Sequence, residues 1–221
     1  VEGIDRQPAA EVVGAVGGND DQVTSMTYLT SGLVDTVTDP LGRVTDYDYD
    51  TKRRLITVTS AKGTASQTVV HYEYDAAGNV SAYVDENNHR TTFEYDALNR
   101  LKKITQPDPD GVGPLTSPIT TFTYDAVGNQ LTITDANGRV TSMAYDALDR
   151  VKSMTDPGNN TTKIAYDGAG NLLSETDPLN HITQFTYDLR NRVISSVDAA
   201  GKPTNYEYDE SDNLIGITDA S

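Results

Sequence analysis

Carboxylates are the groups in this sequence with the widest chemical scope. Its 33 acidic side chains outnumber 17 basic ones, for a formal charge of -16, and 25 of the acids are Asp against 8 Glu. Paired carboxylates can act as general acid and base, and closely spaced Asp oxygens can hold calcium. Asp46-x-Asp48-x-Asp50 and Asp108-x-Asp110-Gly111 have such spacing. The first alternates along a strand, so its carboxylates share a face. The second lacks the remaining EF-hand ligands, and the glycine-rich calcium nonapeptide is absent. Both read as solvated strand and loop.

The other candidates for chemistry are equally bland. His71, His89 and His181 are scattered, and the last two share a polar column with Arg43, Arg139 and Lys202. There is no Cys, so a disulfide framework and a thiolate metal site are excluded. No nucleophile elbow, P-loop or dinucleotide fingerprint occurs. Thr141, Thr162, Thr183 and Thr204 recur at one spacing, which is strand propensity in a repeat column. Asp50, Asp96, Asp146 and Asp188 likewise occupy equivalent positions, which points to turn hydrogen bonding. An active site would need something that breaks the repeat. The expectation is a non-enzymatic chain with no catalytic, cofactor-binding or metal residues.

The elements that carry these carboxylates are repeats. Tyr-Asp pairs stand at Tyr49-Asp50, Tyr74-Asp75, Tyr95-Asp96, Tyr124-Asp125, Tyr145-Asp146, Tyr166-Asp167, Tyr187-Asp188 and Tyr208-Asp209. The steps between them are 25, 21, 29, 21, 21, 21 and 21 residues, and Tyr28-Leu29 reads as a degenerate first copy. A second Asp follows eleven residues after the Tyr, at Asp39, Asp85, Asp135, Asp156, Asp177, Asp198 and Asp219. Five residues after the Tyr the column alternates: Asn79, Arg100, Asn129, Arg150, Asn171, Arg192, Asn213. The alternation makes a pair of copies the larger unit. Residues 28–221 are assigned to about nine tandem copies, with insertions near 62–66 and 107–118. Residues 1–27 are assigned to an irregular segment or cap, with helix conceivable only near Ala9 to Val13.

Each copy carries two turn signals, such as Asp135-Ala136-Asn137-Gly138 and Asp156-Pro157-Gly158-Asn159, separated by strand-length segments. The strand before each Tyr has period two, as in Thr183, Phe185 and Tyr187, with Gln184 and Thr186 opposite. The fold class expected is all-β, antiparallel hairpin repeats forming a continuous spiralling ribbon, with an aromatic face, a wet face and Tyr stacked near the next Tyr. The 36% hydrophobic content suffices for a core. The acidic balance argues against nucleic acid. No stretch has the length of a transmembrane helix, so no membrane insertion is expected.

Gly-Asn-Leu or Asn-Arg-Val, a following Asp-Pro-Leu-Gly or Asp-Ala-Asn-Gly and a closing Tyr-x-Tyr-Asp together resemble the RHS/YD-repeat family. Asp39-Pro40-Leu41-Gly42-Arg43-Val44 through Tyr47-Asp48-Tyr49-Asp50 is a close match. The resemblance spans about residues 28 to 221. It implies a β-ribbon shell, as in the B and C components of ABC toxins, RHS polymorphic toxins and teneurins. It further implies a secreted or surface-delivered bacterial protein whose partners are the rest of the shell and an enclosed C-terminal toxin domain. The family's paired Asp-Pro-x-Gly core is missing, because Asp39-Pro40-Leu41-Gly42 stands alone. The chain is thus expected to be a shell fragment or a repeat-only protein. The alternatives are a surface glycan-binding or adhesion protein, in which the Tyr stripe stacks on sugars, and a filament that self-associates end to end.

Overall fold

A computed structural model describes residues 9–13, 23–111 and 113–220. Within these residues the protein is all-β. The chain divides into two units, residues 1–119 and 120–221. The first holds β1 (Ala9–Val13), β2 (Thr24–Tyr28), β3 (Val34–Thr38), β4 (Val44–Tyr49), β5 (Leu55–Ser60), β6 (Thr68–Tyr74), β7 (Val80–Val84), β8 (Arg90–Tyr95) and β9 (Leu101–Thr105). The second holds β10 (Ile119–Tyr124), β11 (Gln130–Thr134), β12 (Val140–Tyr145), β13 (Val151–Thr155), β14 (Thr161–Tyr166), β15 (Leu172–Thr176), β16 (Ile182–Tyr187), β17 (Val193–Val197), β18 (Pro203–Tyr208) and β19 (Leu214–Asp219). Within each unit every strand pairs antiparallel with the next, as short loops require. Ala9–Val13, where helix was conceivable, is a strand paired with β2. The rest of 1–22 lies outside the described residues.

The apolar residues do not build a compact core. Leu29 and Ala82 are the only hydrophobic side chains classed as buried among the described residues. A lone sheet has two faces and no second layer, so the aromatic face remains half-exposed. In β16 and β18 burial alternates residue by residue, with Thr183, Phe185, Tyr187, Thr204, Tyr206 and Tyr208 on the more buried side. The opposite face is wet there, as the pattern required. The first unit departs from this: Asp46 is 2% exposed on the polar face. The cause is the insertion between β5 and β6, whose Lys62 Nζ reaches Asp46 Oδ2 at 2.7 Å.

The expected stacking of Tyr on the next copy's Tyr does not fit the strand spacing of the described residues. Successive Tyr-Asp copies occupy every second strand, which sets them roughly 9–10 Å apart, beyond ring contact. The ring pair observed, Tyr72–Tyr83 at 5.4 Å, joins mid-strand positions instead.

Candidate functional site

The Tyr-Asp column is built on a five-residue loop. In Asp125-Ala126-Val127-Gly128-Asn129 the Asp125 amide donates to the Asn129 carbonyl, and the Gly128 amide donates to the Asp125 carboxylate at 2.8 Å. The fourth residue has positive φ in every copy, whether Gly (Gly128, 111°), Asn (Asn191, 61°), Asp (Asp149, 58°) or Arg (Arg53, 65°). This is a type I turn followed by a left-handed residue, a three-residue hairpin connection. The loops at the second Asp column have the same form: Gly138 donates to Asp135, Asn159 to Asp156 and Asn180 to Asp177.

These loops correct the turn chemistry expected from dipeptides. Pro157-Gly158 is not the left-handed pair, because Asn159 carries the positive φ of 62°. Asn137-Gly138 is likewise the third and fourth position of a longer loop, with Gly138 at 75°. Asn tolerates this conformation better than most side chains, so Asp-Pro-x-Asn and Asp-x-x-Gly are equivalent solutions.

The Asp explains its own recurrence. Asp188 Oδ1 accepts from the amides of Arg190 and Arg192 at 2.9 and 3.0 Å, and Oδ2 accepts from Arg192 Nε at 2.7 Å. Asp167 repeats the arrangement with Ala169, Asn171 and the Asn171 amide group. The Arg192 backbone donor, then the Arg192 side chain, hold the Asp188 carboxyl below its ordinary value against the opposing pull of desolvation. For Asp167 the Asn171 side chain leads. Such carboxylates are ionised caps of a loop.

Among the described residues whose register is given, the bulge falls in the Tyr-Asp hairpins. Thr123 pairs with Thr132 but Tyr124 pairs with Gln130, leaving Leu131 over. The same shift recurs before Tyr145, Tyr166, Tyr187 and Tyr208. The carbonyl beside the bulge is capped by the Tyr of the next copy. Tyr145, Tyr166 and Tyr187 hydroxyls donate to the Gln130, Val151 and Leu172 carbonyls at 2.9, 3.1 and 2.9 Å. Tyr74 and Tyr95 do the same to Leu55 and Val80 in the first unit. A Tyr hydroxyl is what a Phe lacks, which gives the column its identity.

In the arginine copies the space before the next tyrosine is filled by the guanidinium. Arg54, Arg150 and Arg192 lie over the rings of Tyr74, Tyr166 and Tyr208 at 4.4, 4.5 and 4.7 Å. Replacing Tyr166 by Phe is expected to cost about 1 kcal/mol, the net value of one hydrogen bond. Replacing it by Leu also removes the cation–π contact, for a further loss of about 0.5–1 kcal/mol. Urea midpoints would check this; identical midpoints for native, Phe and Leu proteins would remove the role given to the ring and its hydroxyl.

The other residues considered for chemistry are dispersed. His89 Nδ1 and His181 Nδ1 lie 3.1 and 2.8 Å from Asp85 and Asp177 within their own loops, and His71 lies beside Thr57. Arg43 and Arg139 close their loops on Asp39 and Asp135, and the Lys202 amide donates to Asp198. Asp46 pairs with Lys62, whereas Asp50 caps a loop with Arg54. Asp108 accepts from the Asp110 amide and Asp110 from the Leu115 amide. Among the described residues no group of three or more His, Asp or Glu side chains converges as a metal-ligand set. A cleft of about 230 Å³ lies where the period breaks, lined by Val37, Asp39, Arg43, Thr45, Ser60 and Ala61.

Among the contacts that escaped the sequence are Lys62 with Asp46, and arginine with the following Tyr. The first had no signal, because an insertion has no column. The second had one in the Asn/Arg alternation, whose partner only the strand register identifies.

Uniform hairpins with equivalent loops and a capped bulge define a tandem β-hairpin repeat protein. The RHS repeat family model matches residues 28–65, 74–111, 119–161, 166–203 and 188–221, and the chain belongs to that family. Three matches begin at Tyr28, Tyr74 and Tyr166, and each includes the next Tyr, so the matched unit is a pair of copies. Similar solved structures include TcdB2-TccC3-TEV, with a TM-score of 0.72 and 20% identity over 92% of this chain. The Photorhabdus luminescens Tc holotoxin pore gives 0.73 and 21% over 91%. TcdB2-TccC3 gives 0.71 and 19% over 89%. At such identity the likeness is one of fold. The chain spans 12%, 11% and 12% of those chains' lengths. No curated protein matches it in sequence.

Proposed function

We propose that this chain is a non-catalytic wall segment of an RHS shell that carries a toxin domain of a secreted bacterial protein. The observation that supports this most is the fold match to TcdB2-TccC3 over nine-tenths of the chain. The geometry is in keeping with a wall. Each Tyr-Asp loop is capped by its own Asp, and in five copies the carbonyl at the bulge is capped by the next copy's Tyr. Such copies extend a surface, and their loop carboxylates are engaged as caps. The partners on this reading are the rest of the shell and the enclosed domain.

The test uses the full-length protein that contains these repeats. Electron microscopy should show a closed shell with density inside. The segment beyond the repeats should resist protease until the shell is opened. An open ribbon, or digestion at the rate of a free peptide, would sink the reading.

A further inference from the structure

Nearly identical hairpins laid side by side share one hazard: a strand can pair with the wrong copy. The ladder bonds are backbone groups and do not tell copies apart. Skipping one copy loops out about 21 residues, and the entropy of closing a loop grows only slowly with its length. Register must then come from side chains.

Side chains of the fourth and fifth loop positions supply it. In the second unit these positions read Gly128-Asn129, Asp149-Arg150, Gly170-Asn171, Asn191-Arg192 and Asp212-Asn213. Asn129 and Asn171 donate forward to the fourth residue of the next copy: Asn129 Nδ2 to Asp149 Oδ1 at 2.7 Å, and Asn171 Nδ2 to Asn191 Oδ1 at 2.9 Å. Each Arg also reaches forward, but to different groups. Arg150 lies over Tyr166 and donates to the Asp167 carbonyl at 3.1 Å; Arg192 lies over Tyr208 and donates to the Asp209 carbonyl at 3.2 Å. Arg192 also meets Asp212 Oδ1 at 2.6 Å. The first unit follows the same rule, with Arg54 over Tyr74 and Asn79 donating to Asn99 Oδ1.

We propose that this alternation is a register lock. An odd skip would set Asn129 against Gly170, which has no side-chain acceptor, whereas sequence order gives it the Asp149 carboxylate. Arg150 would meet in Tyr187 and the Asp188 carbonyl the same kinds of group that it meets at Tyr166 and Asp167, and Asn171 would meet the Asp212 carboxylate, so the discrimination rests on Asn129. The device penalises competing arrangements as well as favouring the native one.

The test makes the copies alike in the full chain. D149G/R150N/N191G/R192N converts both arginine copies to the Gly-Asn type. On dilution from denaturant, its natively paired fraction should fall several-fold. Swapped dimers and whole hairpins without amide protection should appear. The control Arg150→Lys with Arg192→Lys weakens the tyrosine contacts but keeps the alternation, and it should refold to the native register. Faithful refolding of the uniform chain overturns the lock, and so does equal mispairing in the lysine control, because the loss would then be one of stability alone. Should the uniform chain not fold, double-mutant cycles decide. Asn129→Ala must couple to Asp149→Ala and not to Asn191→Ala; absence of that coupling overturns the proposal.

Discussion

Acidification below about pH 4 is expected to unfold the protein steeply, over a narrow range and with uptake of several protons. Thirteen loop aspartates are held below their ordinary value of 3.8, among them Asp50, Asp96 and Asp188 through backbone donors and Asp75, Asp167 and Asp209 through the Asn side chain. A carboxyl whose folded pKa is depressed contributes stability above its unfolded pKa and loses it as pH falls through the folded value. The melting temperature should thus be flat from neutrality to about pH 5, then drop. The formal charge of -16 predicts the opposite trend, because protonation relieves self-repulsion. The local effect should win. Each Oδ1 accepts two or three loop amides at hydrogen-bond distance, whereas exposed charges repel through water and salt. Circular dichroism melts at a series of pH values would decide. A melting temperature that holds or rises down to pH 3 would sink the account, as would a transition with the slope of a single proton.

What the sequence disclosed was what repetition amplifies. The 21-residue step, the two Asp columns and the period-two strands each appear many times, so one degenerate copy such as Leu29-Leu33 does not hide them. That copy keeps the loop bonds Leu29 N to Leu33 O and Gly32 N to Leu29 O without the carboxylate. Backbone geometry was less legible. Pro157-Gly158 has the composition of a tight turn, yet the left-handed position falls on Asn159, because the Asp156 carboxylate fixes the loop at five residues. The bulge before each Tyr has no residue signature of its own, since any side chain can be the extra one: Leu131, Lys152 and Ile194 all serve. Without the bulge, the capped carbonyl and the Arg between the tyrosines cannot be inferred. The lack of a core was hidden for another reason. Apolar content measures what could be buried, and only topology tells whether a second layer exists to bury it.

That missing layer makes one substitution severe in a confined way. Ser174→Pro in β15 is expected to cost about 3 kcal/mol or more locally, because proline deletes a ladder donor and fixes φ in a central strand. Ser174 stands between Ala165 of β14 and Gln184 of β16 in register, so a neighbouring strand loses a bond whichever way the amide points. In a layered domain the opposite layer would hold the flanking strands together across the defect. Among the described residues each strand packs on its sequence neighbours, so stability should be close to a sum of nearest-neighbour terms. Hydrogen exchange should then show protection lost across β14, β15 and β16, with β10 to β12 of the same unit retaining theirs. Ser174→Thr keeps the donor and suits a strand, and should leave exchange nearly unchanged. Uniform loss of protection throughout residues 120–220 would instead show coupling beyond adjacent strands. The hairpins would then be one cooperative body, and the loop and bulge caps could not be the whole of what joins them.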